Sequence, residues 1–98
     1  MTEIERLVAI EEIKQLKARY FRCVDTKDWA GWQAVFAPDA VLDAREDRPP
    51  GTPESEWVVT GAVTIVNFAK NVIQPAVTVH HGHMPEIEFA ADTTAKGV

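Results

Sequence analysis

The amino-acid sequence predicts a small α+β domain. Two observations carry that reading: helical periodicity dominates residues 2–73, and strand-type alternation takes over after Ala76. The expected order is helix, helix, short strands, helix, long strand, and a last strand just beginning. A chain of 98 residues holds one domain, 1–98, and no segment of it repeats.

Residues 2–25 read as one amphipathic helix. Thr2 and Glu5 match a capping box, in which each side chain satisfies a free backbone N–H of the first turn. Ile4, Leu7, Val8, Ile10, Ile13, Leu16, Tyr20 and Val24 recur mostly in steps of three and four. Glu3 and Glu5 complement the positive end of the helix dipole; Lys17, Arg19 and Arg22 complement the negative end. Asp28 is the expected N-cap of a short second helix carrying Trp29, Trp32, Val35 and Phe36 and stopped by Pro38-Asp39. Val41-Leu42 and Trp57-Val58-Val59 read as short strands. Between them, residues 45–56 hold three prolines, a glycine and no large apolar side chain, the composition of a solvated loop.

Thr60 is the expected cap of a third helix that runs to about Ile73, with Ile65, Phe68, Ala69 and Val72 on its apolar face. Val77, Val79, Ile87 and Phe89 then predict a long strand from Ala76 to Ala90, in which Pro85 requires an edge position or a bulge. Asp92-Thr93-Thr94 reads as a turn, and Ala95–Val98 as the start of another strand. One long strand cannot cover three helices, so further C-terminal strands are expected beyond Val98.

The 15 acidic and 10 basic residues give a net charge of −5, the opposite of a nucleic-acid footprint. The longest apolar stretch is far short of a membrane span, and the N-terminus has neither the basic start nor the apolar core of a secretory signal. Cys23, the single cysteine, cannot form an intramolecular disulfide, which suits a reducing, cytoplasmic setting. An open sheet face needs covering, so a homo-oligomer is expected.

Asp25 is out of place at the C-terminal end of a helix, where the dipole disfavours a negative charge. On position alone the plainer reading is an exposed residue in an Asp-Thr-Lys-Asp turn, neutralised by Lys27. Tyr20 lies on the apolar stripe, so its ring is expected to be buried with its hydroxyl seeking a partner. It stands roughly 140° around an ideal helix from Asp25, so the two share a face only if the helix loosens near Cys23–Asp25. His80, His81 and His83 cluster in four residues. No nearby carboxylate or cysteine completes a ligand set, so no metal is expected. In a regular strand His81 and His83 share one face and His80 points the other way. A histidine paired to a carboxylate makes a sound general base, and a tyrosine across a pocket can donate to a developing oxyanion. Such chemistry requires no cofactor.

The stretch from Ile13 to Asp25, Ile-Lys-Gln-Leu-Lys-Ala-Arg-Tyr-Phe-Arg-Cys-Val-Asp, followed by Lys27-Asp28-Trp29, resembles the opening helix of SnoaL-like proteins of the nuclear-transport-factor-two-like superfamily. His80-His81-Gly82-His83-Met84-Pro85-Glu86-Ile87 resembles a later stretch of the same family. The pattern is similar to those of the bile acid 7-alpha-dehydratase and scytalone dehydratase branches, although Val24 stands where the latter has a tyrosine. The resemblance implies a cone: a strongly curved mixed β-sheet wrapped around three helices, with an apolar pocket at its mouth. It implies catalytic roles for Asp25, His80 and Tyr20, and elimination or isomerisation at a carbon activated by a carbonyl. Trp29, Trp57, Phe68 and His83 are the expected substrate-binding residues, and the expected ligand is a hydrophobic, oxygenated small molecule. A non-catalytic module that binds such a molecule or a peptide is the alternative. Relatives form dimers or trimers.

Overall fold

Helix α1 spans Glu3–Asp25 and begins with the expected capping box. Thr2 Oγ1 accepts from the Glu5 backbone N–H at 3.1 Å, and the Glu5 carboxylate accepts from the Thr2 N–H at 3.4 Å. The structure, a computed structural model, describes all of residues 1–98. α1 closes on a Schellman motif: the Lys27 N–H donates to the Val24 carbonyl and the Asp28 N–H to the Cys23 carbonyl. The motif demands a left-handed residue, and Lys27 supplies it with φ 59°. Asp28 then caps α2 (Trp29–Gln33), accepting from the Gly31 N–H at 3.0 Å.

Two short strands follow, β1 (Val41–Asp43) and β2 (Val58–Thr60), paired antiparallel with Leu42 opposite Val59. The polar stretch between them holds two single 3-10 turns, over Arg45–Asp47 and Glu54–Trp57. Ion pairs Arg45–Asp43 and Arg48–Glu54 stiffen it. α3 (Ala62–Ile73) starts one residue later than Thr60 predicted: its N-cap is Gly61, whose φ of 96° a side chain would strain. β3 (Ile87–Ala91) and β4 (Thr94–Gly97) form an antiparallel hairpin with a register shift between Phe89 and Ala91.

The architecture is thus α+β, with three helices and two separate two-stranded antiparallel sheets in place of one continuous mixed sheet. The predicted long strand from Ala76 to Ala90 is only its last part. Residues 77–85 form no ladder; no neighbouring strand lies beside them, and Pro85 has no N–H to give. Regular pairing starts directly after Pro85, with Glu86 and Val98 exchanging both backbone hydrogen bonds.

The core is small and lies where α1, α2, α3 and β2 meet. Cys23, Val24, Trp32, Val59, Ile65 and Val66 are buried in it, with Tyr20, Trp29, Phe36 and Phe68 packed around. Val72, predicted on the inner face of α3, is exposed, and Val66 takes the buried place. The stripe on α1 is covered only toward its C-terminal end; Ile4, Leu7 and Val8 remain exposed. The hairpin reaches α1 through a Met1 amino group–Asp92 ion pair and through Arg6 over the Phe89 ring. No helix is long and apolar enough to cross a membrane.

Candidate active site

Asp25 is the last residue of α1, and three donors from the stretch 78–80 converge on its carboxylate. The Thr78 hydroxyl donates to Oδ1 at 2.7 Å, the His80 backbone N–H donates to Oδ2 at 2.8 Å, and His80 Nδ1 lies 2.5 Å from Oδ1. These contacts explain how a negative charge is held at the unfavourable end of a helix. They also hold the carboxyl at about 2, against an ordinary 3.8; the His80 main-chain hydrogen bond contributes most and the His80 side chain next. A carboxylate that is ionised at neutral pH can only accept, so the Nδ1 facing it carries the proton. In neutral His80 the lone pair therefore sits on Nε2.

Lys27, the alternative partner for Asp25, makes no ion pair with it; its backbone is committed to the turn. Nor does the helix loosen. It runs regularly to Asp25, and the 78–80 stretch comes to the helix end instead. Val77 and Val79 point outward, 95% and 72% exposed, while Thr78 and His80 turn in toward Asp25. An extended stretch with alternating faces does the work expected of a regular strand.

Phe21 was absent from the predicted site, yet it is central to the geometry. Its ring stacks on His80 with centroids 5.7 Å apart and planes 14° from parallel. It meets Tyr20 edge-on at 5.8 Å. Gly82 passes so close that a Cβ there would sit 2.6 Å from Phe21 Cε2. Tyr20 itself packs edge-on against Trp32 and Phe36, on the α2 side of α1. It is not hydrogen-bonded to Asp25 or His80, and its hydroxyl has no partner in the chain. Burial pushes the phenol above its usual range, which keeps it protonated.

A cavity of about 870 Å³ lies between α1 and the stretch leading into β3. Ile13, Lys17, Phe21, His83, Met84 and Ile87 are among its walls. The structure brings His83 to this cavity; Asp25, His80 and Tyr20 are not among its walls, but the wall residue Phe21 stacks directly on His80. The other expected substrate contacts, Trp29, Trp57 and Phe68, are not among its walls. Trp29 donates from Nε1 to Gln74 Oε1 at 2.8 Å and meets Trp32 edge-on, and Trp57 and Phe68 form an edge-on pair at 5.4 Å. No three His, Cys, Asp or Glu side chains gather into a set that could hold a metal ion.

Two contributors escaped the sequence reading. Thr78 carried a faint signal, since it shares the parity of His80; Phe21 carried none, since its neighbour His80 is remote in the chain. The arrangement as a whole is a histidine oriented by a partly exposed carboxylate and flanked by an aromatic ring. A family model for a SnoaL-like domain matches residues 5–98. The chain belongs to the SnoaL-like family. It is therefore a member of the nuclear-transport-factor-two-like superfamily. The match runs from the first turn of α1 to the end of the hairpin, so both halves of the Asp25–His80 pair fall inside the SnoaL-like region. The SnoaL-like family includes polyketide cyclases and dehydratases or isomerases.

Proposed function

We propose that the protein is a lyase (a dehydratase) or an isomerase that works by His/Asp general acid–base chemistry on a hydrophobic, oxygenated small molecule of steroid or polyketide type. The observation that carries the reading is the 2.5 Å contact of Asp25 with the Nδ1 side of His80, which leaves Nε2 free as a base. His80 Nε2 removes a proton from a carbon next to a carbonyl, and the C–H electrons pass to the carbonyl oxygen. Asp25 stabilises the imidazolium so formed. In elimination, the enolate reforms its carbonyl, a C–O bond at the β carbon breaks, and the imidazolium returns the proton to the leaving oxygen as water. In isomerisation the proton returns to a different carbon. Tyr20, protonated and without a partner in the chain, is the proposed donor to the enolate oxygen.

Substrate contact is proposed for Phe21 and His83 at the cavity wall. The exposed apolar residues Val77, Val79, Met84 and Val98 support a dimer or trimer in which a second copy covers this side, completing a cone around the pocket. The closed Asp25–His80 pair favours catalysis over a purely binding role, since a binding module has no need to fix an imidazole tautomer.

The test is a panel of β-hydroxy ketones on steroid and polyketide skeletons, incubated with wild type, His80→Ala and Asp25→Asn. Turnover is expected to fall about 10²–10⁴-fold in both variants, the usual range for a lost acid–base group. Equal product formation by all three proteins would sink the proposal.

A further inference from the structure

We infer that Thr78 is a positioning residue: its hydroxyl fixes the rotation of the Asp25 carboxylate that presents Oδ1 to His80 Nδ1 and Oδ2 to the His80 main chain. The inference deepens the proposed function and rests on that reading only for its kinetic consequence.

A carboxylate rotates broadly about its last torsion. Without Thr78, both donors on Asp25 belong to a single residue, His80, and the carboxylate can turn while keeping one of them. Thr78 adds a third point from a different residue. At 2.7 Å its contact has the length of a charge-assisted O–H···O⁻ bond, and it falls on the same oxygen that faces the imidazole. With Oδ1 held by Thr78 and Oδ2 by the backbone, only the orientation that receives Nδ1–H remains. The β-branched side chain suits this task, because threonine has few side-chain rotamers and its hydroxyl aim is preset. Thr78 and His80 stand two positions apart, with Val79 alone between them and facing out, so the local extended geometry delivers both side chains to one target.

The hydroxyl has one proton, and it is committed to Asp25. Thr78 is therefore excluded as a donor to substrate, and its whole effect passes through the His80 tautomer.

The test compares wild type with Thr78→Val, which keeps the shape and removes the donor, and with Thr78→Ser, which keeps the donor. Nitrogen-15 NMR of the imidazole reads the fraction of His80 protonated at Nδ1 without any turnover. In parallel, kcat and KM are measured on whichever β-hydroxy ketone of the panel wild type converts. Wild type and Thr78→Ser are expected to show the Nδ1–H form almost alone. Thr78→Val is expected to show both tautomers, with kcat down about tenfold and KM unchanged, the scale of one hydrogen bond to a charged group. Thr78→Ala carries the same readouts should the valine variant not fold. A wild-type tautomer spectrum in both Thr78→Val and Thr78→Ala overturns the inference. So does a Thr78→Ser variant that behaves like Thr78→Val, since the methyl group would then be what matters. A tautomer mixture in Thr78→Val alongside turnover indifferent to His80→Ala supports the inference and overturns the catalytic reading, so the two failures are distinct.

Discussion

Asp25 illustrates how a local rule is broken and then compensated from a distance. The α1 dipole opposes its charge, while the Thr78 hydroxyl and the two His80 N–H groups favour it, and the hydrogen bonds win. A depressed carboxyl makes a definite statement about pH. The folded protein binds the Asp25 proton more weakly than the unfolded chain does, so the stabilisation is fully present above the ordinary 3.8 and is lost as pH falls through about 2. Thermal unfolding of wild type and Asp25→Asn should therefore differ by a constant margin from neutrality down to about pH 4.5, a margin that narrows toward pH 2. A margin that stays constant from about pH 4.5 down to about pH 2 would show that Asp25 is not held as an anion. At this scale the sequence marked Asp25 as anomalous, and the family resemblance named His80 as its partner. It did not disclose Thr78 as a donor, because the bond spans 53 residues and a threonine beside two valines looks like ordinary strand composition.

The helices were legible for the reason that their signals are local. Thr2, Glu5 and the spacing of Ile13, Tyr20 and Val24 all act within a turn or two of where they stand. The 76–90 strand was less legible because strand formation needs a neighbour, and alternation in Val77 and Val79 cannot say whether one exists. Its inward side chains found a helix end instead of a sheet. Between α1 and α2, the Schellman turn sets where Asp25 points, and it uses a lysine in a conformation that suits glycine. Placing a side chain in that region costs about 1–2 kcal/mol, whereas glycine costs about 0.4–1 kcal/mol through the freedom it adds to the unfolded chain. Lys27→Gly is accordingly expected to raise stability by about 0.5–1 kcal/mol, measured by urea denaturation. A loss of stability would mean that Lys27 makes a contribution beyond its backbone.

Only seven of the 98 residues are buried, so the isolated chain has a thin core for its length, and its 47 × 27 × 24 Å extent is elongated. Small domains of this kind gain stability by association. Light scattering is expected to return two or three times the 10.9 kDa chain mass, and Val79→Glu with Met84→Glu is expected to lower it toward one chain. A wild-type mass of one chain would remove the oligomer from the account of the pocket. The Asp25–His80 link has a consequence for the order in which the molecule forms. α1 and the β3–β4 hairpin are built from near neighbours in the chain and can form early, whereas this link joins groups 55 residues apart and must close a long loop. An imidazole held almost wholly in the Nδ1–H form is therefore also a sign that this loop has closed. A chain caught with its helices formed and this link open would hold every residue of the site and have no oriented base.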